Sequence, residues 1–529
     1  MIASTMGTER NTVAIVGGGP AGIVAARYLL TEGLAPTLFE QNDRLGGHWA
    51  GDPRSSGVWP SMRTNTSRVM TEFSDLAHPP GTAVYPSNQE IGAYLERYAD
   101  RFGLGPIVKT NTSVTRVARD RADGWLVGFA MPDGSTREER FGRVVVACGR
   151  YQKPSVPSVP GLESFTGACG VSHTFGYKQP ERYRGQRVLV AGCAISALEI
   201  ASDLAMLGAA RVVTTNRRQR YIAMKLAGGV PSDQVLFTRF AALAAEVFPP
   251  EANAAALKQL ITRLSGSPEQ FGAPKPADSI LEAGVSLSQY YLPLVAEGRI
   301  EIRPWIERVD GQTVRFADGR EEIFDGIVFG TGYRLDLPWL ADEVRRILGL
   351  GTGRLDLHGM TLHPDLPNFA CLGLFHQVGP YFPSIELQAR WIAYTWSGRR
   401  PAPHRDEMTA GLAAARLNGL DPIPLHLTAT HFARAAGVEP DLYAWPDLAR
   451  VLLFGPLTAI SFRLNGPESL PDARDRVVAA AKAFGAVPAP ELTPEQCARL
   501  RALADARNDP RFSGFVDDAI ARSAPLASN

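Results

Sequence analysis

Residues 12–31 read TVAIVGGGPAGIVAARYLLT, an apolar run that leads into a glycine-rich turn and then into a helical pattern. We interpret residues 12–16 as a buried parallel strand and residues 21–31 as the helix that follows the turn. Residues 36–40 (PTLFE) form the next predicted strand. Together these segments make a βαβ unit of about thirty residues, the size expected for a dinucleotide-binding fold.

The turn at residues 17–22 (GGGPAG) matches the pattern G-x-G-x-x-G. Gly17 permits the tight turn, Gly19 lets the backbone approach a pyrophosphate, and Gly22 lets helix and strand pack closely. The positive end of the helix then faces the phosphates. Glu40 ends the second strand, where a carboxylate binds ribose hydroxyls and repels a 2′-phosphate. This site therefore favours FAD or NAD over NADP.

A second βαβ pattern begins about 175 residues later. Residues 187–191 (RVLVA) and 211–215 (RVVTT) are predicted strands, and residues 197–207 are a predicted helix. The turn between them, residues 192–197 (GCAISA), keeps Gly192 but has alanine at the other two glycine positions. Two such units far apart indicate two nucleotide-binding domains and not a short repeat.

The second turn carries features that suit a phosphate. Ser196 can donate a hydrogen bond there, and Ala197 is the smallest replacement for the third glycine. After the second strand, residues 216–220 (NRRQR) include no acidic counterpart of Glu40. A guanidinium at this point fits a 2′-phosphate, so we predict NADPH here with Arg217 as its main ligand. The alternative is a solvated basic loop.

The rest of the chain indicates how the two domains are arranged. Residues 143–149 and 326–330 are further predicted strands, and residues 151–161 form a proline-rich crossover. Residues 222–295 are expected to be mostly helical, with breaks at prolines 231, 249 and 274. We predict an α/β fold of two Rossmann-like domains, with the NADPH domain inserted in the FAD domain. The expected bounds are 1–160 and 326–450 for the FAD domain, 161–325 for the NADPH domain with its insertion, and 451–529 for a helical C-terminal extension.

Composition excludes several classes of protein. The 529 residues carry a formal net charge of +1, which gives no reason to expect nucleic acid or an acidic membrane as partner. Five scattered cysteines without C-x-x-C predict neither a disulfide framework nor a metal site, and they favour a reducing, cytoplasmic location. Residues 1–10 lack the apolar run of a secretion signal, and no window is apolar enough to span a membrane.

Several further motifs resemble those of the flavin-containing monooxygenase family. They are GG-x-W at residues 46–49, T-N-x-S at residues 64–67 and G-T-G-Y at residues 330–333. Residues 372–391 and 452–474 also resemble segments of that family. Taken alone, the GG-x-W stretch fits either an ordinary turn with a core tryptophan or a loop against a cofactor.

Besides the second glycine-rich turn, three features depart from the family pattern. The identifying motif F-x-G-x-x-x-H is present as Phe165, Gly167 and His173, followed by Tyr177, with two extra residues before the histidine. His376 stands where many relatives carry glutamine. Residues 507–529 do not resemble the hydrophobic tail of the animal members, so we expect a soluble form.

The resemblance implies a reaction. A member of this family reduces FAD with NADPH, forms a C4a-hydroperoxyflavin from O2, and passes one oxygen atom to an amine nitrogen or a sulfide sulfur of a small molecule. The resemblance assigns the catalytic role to Asn65, whose amide offers a donor and an acceptor without titrating. A loop asparagine that merely caps a turn is the structural alternative. A homodimer is possible.

Other activities share the same cofactors. A Baeyer–Villiger monooxygenase would attack ketones, although Tyr177-Lys178 replaces the tryptophan and following proline or aspartate usual in that group. A pyridine-nucleotide reductase or a peroxide-forming NADPH oxidase is the second alternative, and a non-catalytic binding protein is the third. The predicted cofactor contacts are Gly17, Gly18, Gly19, Pro20, Ala21, Gly22, Glu40, Gln41, Gly47, His48, Trp49, Thr64, Asn65, Thr66, Val114, Gly192, Ser196, Ala197, Arg217, Gly332, His376 and Gln377.

Overall fold

The structure is a computed structural model that describes residues 10–52, 54–120, 124–351, 354–417 and 422–523. Its first sheet has five parallel strands in the order 369–371, 143–146, 12–16, 35–39 and 108–109. The predicted first strand and helix are present as Thr12–Val16 and Pro20–Thr31. The sequence predicted no secretion signal in residues 1–10. Residues 1–9 of that segment lie outside the described ranges.

The central strand of this sheet is buried on both faces, which explains its continuous apolar run. Val13 and Ile15 pack into the core that includes the helix Pro20–Thr31. Ala14 and Val16 point the other way, into a second core. Alternate residues of one strand thus belong to different layers, as expected for a parallel sheet covered on both sides.

The second sheet also has five parallel strands, in the order 300–303, 211–215, 187–191, 326–329 and 170–173. It confirms the second predicted βαβ unit, with its helix at Ile195–Met206. The strand Gly326–Phe329 pairs with Arg187–Ala191 in this sheet. The expected domain boundary at residue 326 is therefore too early, because an apolar strand of four residues does not reveal which sheet it joins.

The insertion is mostly helical, as expected, and its helices are interrupted by short strands. Its helices are Asp233–Leu236, Arg239–Val247, Pro250–Ser265, Ile280–Ala283 and Tyr291–Ala296. Between them, Tyr221–Ala223 pairs in parallel with Val285–Leu287, and Leu226–Ala227 forms a short hairpin with Val230–Pro231. The prediction of a mostly helical insertion is confirmed, and the short paired strands between the helices are an addition that alanine and leucine spacing does not reveal.

Two antiparallel meanders that the sequence did not predict accompany the parallel sheets. One consists of Ser113–Arg119, Trp125–Ala130 and Thr136–Phe141, and the other of Ile306–Asp310, Thr313–Phe316 and Glu321–Ile323. Two further strand pairs are Lys153–Pro154 with Tyr333–Arg334 and Gln377–Val378 with Ile423–Pro424. The other helices are Asn88–Arg101, Asp342–Ile347, Phe382–Ser397, Arg405–Leu417, Leu425–Ala436, Ala449–Phe454, Ala473–Lys482, Pro494–Arg507 and Pro510–Ser523.

The C-terminal region packs against both earlier parts of the chain. Arg27, on the first dinucleotide helix, forms ion pairs of 3.1 Å with Asp75 and 3.0 Å with Glu468. The last two helices share an apolar core with the insertion helix Arg239–Val247. Among the helices in the described ranges, none is long and apolar enough to cross a membrane.

Candidate active site

The first glycine-rich turn leaves no room for side chains except toward one side. Gly17 has a φ of +109°, and a Cβ there would lie 2.7 Å from the carbonyl oxygen of Ala147. A Cβ on Gly22 would lie 1.8 Å from the carbonyl oxygen of Gly17. At Gly19 the nearest atom to such a Cβ is 3.6 Å away, on Gly47. The turn is thus closed against its own sheet and open at Gly19, where a pyrophosphate would approach.

The helices that follow the two glycine-rich turns begin without side-chain caps. Pro20–Thr31 starts after Gly19, and Ile195–Met206 starts after Ala194, with no acidic residue in either first turn. The helix Asn88–Arg101, by contrast, has a complete capping box from Ser87 and Glu90. Uncapped N-terminal N–H groups are the donors that bind phosphate at helix ends. Pro20, Ala21 and Ser196 lie in these first turns.

Glu40 sits at the end of the second strand with its carboxylate facing the turn. It accepts hydrogen bonds from the backbone N–H of Gly18 at 2.7 Å and of Asn42 at 2.8 Å. Burial raises the pKa of this carboxyl above its usual range. Each oxygen keeps a lone pair for a ribose hydroxyl. Gln41 beside it is exposed, and Val114 is half-buried in the adjacent meander.

The GG-x-W loop lies directly on the first turn. Gly46 donates its N–H to the carbonyl oxygen of Gly18 at 2.8 Å, and a Cβ on Gly47 would lie 2.9 Å from the Cα of Gly19. His48 accepts a hydrogen bond from the N–H of Gly57 at 3.0 Å, and burial with nearby Lys178 lowers its pKa to about 4. His48 is therefore neutral near pH 7, and Trp49 packs at the edge of the main core.

Asn65 carries an unpartnered amide oxygen in a segment that is otherwise well bonded. Thr64 donates its hydroxyl to the carbonyl oxygen of Thr66 at 2.8 Å, and Thr66 shares a hydroxyl hydrogen bond of 2.7 Å with Thr71. The Oδ1 atom of Asn65 is buried and has no hydrogen-bond partner. Buried polar atoms normally have partners, so this oxygen is an acceptor available to a ligand that donates a hydrogen bond. Together with the open face at Gly19, it fits a bound flavin.

The second turn tolerates alanine because its neighbour is glycine. A Cβ on Gly330 would lie 2.6 Å from the Cβ of Ala197, and one on Gly192 would lie 2.5 Å from the carbonyl oxygen of Gly330. The methyl group of Ala197 therefore occupies space that Gly330 leaves free. The loss of the third glycine in the motif is compensated from the adjacent strand.

Arg217 lies where the sequence placed it, at the end of the strand Arg211–Thr215, and its side chain is exposed. Its guanidinium carbon is 4.6 Å from the ring centroid of Trp305, within the range of a cation–π contact. Sequence reasoning missed Trp305. Trp305 comes just after the strand Ile300–Arg303. That strand pairs with Arg211–Thr215, the strand that precedes Arg217, and this pairing could have identified the tryptophan.

The G-T-G-Y motif at residues 330–333 lies beside the proline-rich crossover at residues 151–161. The carbonyl oxygen of Gly332 accepts a hydrogen bond from the N–H of Ser155 at 2.9 Å. His376 is half-buried, and its carbonyl oxygen accepts from Ile423. The side chain of Gln377 donates to Pro380 and accepts from Thr428, so its amide is engaged within the protein.

The histidine end of the F-x-G-x-x-x-H motif lies in the second sheet. Gly170–His173 is the edge strand beside Gly326–Phe329. The hydroxyl of Tyr177 donates to Asp203 at 2.9 Å. Lys178 donates to the carbonyl oxygen of Ser56 at 2.7 Å. Within the described ranges, no group of histidine, cysteine or carboxylate side chains could hold a metal ion.

Three solved structures illustrate the fold that this chain shares with known proteins. S-allyl-L-cysteine S-oxygenase from Allium sativum matches 97% of this chain and 98% of its own at a TM-score of 0.58 and 21% identity. Cyclohexanone monooxygenase in an open form matches 81% of this chain and 97% of its own at a TM-score of 0.61 and 20% identity. Tmm from Pelagibacter sp. strain HTCC7211 matches 80% of this chain and 84% of its own at a TM-score of 0.59 and 19% identity. At these identities the likeness shows the fold alone.

Sequence comparison is more specific. Dimethylaniline monooxygenase [N-oxide-forming] 2 from Rattus norvegicus is 30% identical over 495 residues, which cover 88% of this chain and 91% of that protein. Flavin-containing monooxygenase 2 from Homo sapiens is 28% identical over 492 residues, which cover 88% and 90%. Residues 10–485 match the family described as FMO-like, flavin-binding monooxygenase-like. The chain therefore belongs to the flavin-binding monooxygenase-like family, as a flavin-dependent monooxygenase with FAD and NADPH as cofactors.

Proposed function

We propose that this enzyme transfers one oxygen atom of O2 to a soft nucleophile, an amine nitrogen or a sulfide sulfur, of a small molecule. The observation that carries the proposal is the buried, unpartnered Oδ1 of Asn65 in its T-N-T-S segment. The N-oxide-forming name of the relative that is 30% identical supports the same chemistry.

The roles of the residues follow from their chemistry. Residues 17–22 and Glu40 would hold the pyrophosphate and ribose of FAD, and residues 192–197 with Arg217 those of NADPH. The bound flavin supplies hydride acceptance and oxygen activation. Asn65 presents a donor and an acceptor that do not titrate, so it can hold a reacting oxygen in one protonation state. No side chain is required as a general base, because an amine or sulfide attacks through its own lone pair.

Ketone oxygenation and peroxide formation are the competing activities. The fold shared with cyclohexanone monooxygenase does not distinguish them, because the identity is only 20%. Tyr177, at the point where ketone-oxidising relatives usually carry tryptophan, is fully buried and bonded to Asp203. Its position supports a packing role, and the sequence difference argues against a ketone substrate.

A substrate screen tests the proposal. The purified enzyme is supplied with NADPH and with tertiary amines, thioethers or cyclic ketones, and NADPH consumption, oxygenated product and hydrogen peroxide are measured together. We expect N-oxides or sulfoxides in proportion to the NADPH consumed. Esters from ketones as the main product would contradict the proposal, and so would peroxide as the sole product with every class.

The nucleotide preference depends on Arg217. We expect Arg217→Ala to raise the KM for NADPH by about tenfold or more while leaving the KM for NADH nearly unchanged. The reason is that a charge-assisted contact to the 2′-phosphate contributes about 1.5–3 kcal/mol, and NADH lacks that phosphate. Steady-state kinetics with both nucleotides provide the measurement.

The matched control is Arg263→Ala, which removes an exposed arginine from the insertion helix Pro250–Ser265. It should change neither constant, because its side chain pairs only loosely, at 3.8 Å, with Glu495. Equal increases for NADPH and NADH in Arg217→Ala would show that the residue does not read the phosphate.

A further inference from the structure

The segment that carries Asn65 is held at both ends by carboxylates from the second dinucleotide domain. At one end, Ser61 donates its hydroxyl to Asp203 Oδ1 at 2.8 Å. At the other, Ser67 donates its backbone N–H to Asp233 Oδ2 at 2.6 Å and its hydroxyl to the same carboxylate at 3.0 Å. Asn65 lies between these two attachment points.

Asp203 connects this segment to the helix of the second turn. It lies near the end of Ile195–Met206, whose beginning forms the predicted phosphate site. Its side chain is only 8% exposed and accepts from Tyr177 as well as from Ser61. Because it serves two partners on different segments, a shift of this helix moves both of them.

Asp233 connects the same segment to the insertion. It is the first residue of the helix Asp233–Leu236 and is 6% exposed. The neighbouring Gln234 is fully buried and donates its amide to the hydroxyl of Ser67 at 2.8 Å. Ser67 is thus bonded by two consecutive residues of the insertion. Hydrogen bonds to a charged carboxylate are about twice as strong as neutral ones.

We propose that Asp203 and Asp233 are positioning residues through which the second dinucleotide domain sets the orientation of the Asn65 amide. This inference rests on the proposed function, because the orientation of Asn65 has a chemical consequence only if Asn65 holds the reacting oxygen. A rotation of the segment about either end would turn the amide away, and NADPH would then be spent on hydrogen peroxide instead of product.

The primary test compares Asp233→Asn and Asp203→Asn with the wild-type enzyme. Asparagine preserves the shape of the side chain and removes the charge that receives the serine hydrogen bonds. We expect product per NADPH to fall about tenfold in Asp233→Asn, with peroxide rising to match. The rate of flavin reduction by NADPH without oxygen should stay within about twofold, since no nucleotide contact is removed.

The matched control is Asp278→Asn, which makes the same charge change on the insertion. Asp278 is 81% exposed and pairs with Lys275 at the surface. Its product yield per NADPH should equal that of the wild type. If Asp233→Asn fails to retain flavin, Ser67→Ala provides the test, because it removes the hydroxyl contact and leaves the backbone N–H to Asp233 in place.

The dependence of product per NADPH on pH distinguishes a positioning role from a merely structural contact. Burial raises the pKa of Asp233 to about 6. The carboxylate is therefore charged above that pH, and product per NADPH should fall as the pH is lowered through about 6. Asp233→Asn should lose the step near pH 6, and any step at lower pH that both proteins share belongs to Asp203, whose pKa burial also raises. The titratable groups on neighbouring elements are Tyr85, whose pKa is raised by burial, and the paired Lys225 and Glu199.

The outcomes separate this inference from the function on which it rests. Uncoupling by Asn65→Ala together with wild-type coupling in Asp203→Asn, Asp233→Asn and Ser67→Ala would overturn the inference alone. Unchanged coupling in Asn65→Ala would overturn the role of Asn65 in the proposed function. Loss of thermal stability in the aspartate variants without any change in product yield would also contradict the inference, since it would leave only a packing contact.

Discussion

Replacing Asn65 by alanine should uncouple the enzyme, with NADPH oxidation continuing while oxygenated product falls by about tenfold or more and hydrogen peroxide rises. The lost interaction is a hydrogen bond in a buried site, and about 1.4 kcal/mol corresponds to a factor of ten. Asn65→Asp should have the same effect, because a carboxylate near pH 7 offers acceptors but no donor. Product, peroxide and NADPH measured in the same reaction give the ratio.

Asn253→Ala is a suitable control for this change. It removes an amide that donates to Phe248 at 3.0 Å on the insertion, and it should leave the ratio of product to NADPH at the wild-type value. A wild-type ratio in both Asn65 variants would mean that the amide only supports the local turn. The same result would remove the main support for the proposed oxygenation site.

Gly22→Ala should abolish FAD binding. The added Cβ would lie 1.8 Å from the carbonyl oxygen of Gly17, a backbone atom of the same turn. Overpacking of this kind costs about 3 kcal/mol where the backbone cannot relax. The protein should purify without the yellow colour of flavin, and its Tm should fall.

Gly514→Ala is the control, because this glycine lies within the helix Pro510–Ser523 and no atom approaches the position of its Cβ. Alanine in a helix interior should be neutral or stabilising by up to about 1 kcal/mol. A Gly22→Ala protein with full flavin content would show that the turn can relax, and it would weaken the assignment of this turn to the pyrophosphate.

The sequence was sufficient for those parts of the fold that are coded locally. The strands at 12–16 and 187–191, the helices after them and the roles assigned to Gly17 and Gly22 follow from short patterns, and the structure has the matching geometry. The segment with Asn65 was found through family resemblance, and its unpartnered amide oxygen became visible only in three dimensions.

The sequence was not sufficient where distant segments meet. Nothing near Ser61 or Ser67 indicates that Asp203 and Asp233 bond to them, because those contacts span 142 and 166 residues. Two other features also depend on contacts between distant segments. They are the pairing of Gly326–Phe329 within the second sheet and the contact of Arg217 with Trp305. The local sequence around an apolar strand or a half-buried tryptophan has no pattern that identifies its partner.

The edge strand Phe369–Cys371 has a consequence for the order in which the chain folds. It completes the first sheet by pairing with Arg143–Val146, whereas all strands of the second sheet lie between residues 170 and 329. During synthesis, all strands of the second sheet are made before residues 369–371. The second sheet can therefore form before the ribosome has made the last strand of the first sheet. Because contacts between distant segments form late, we expect the first sheet to be completed after the second.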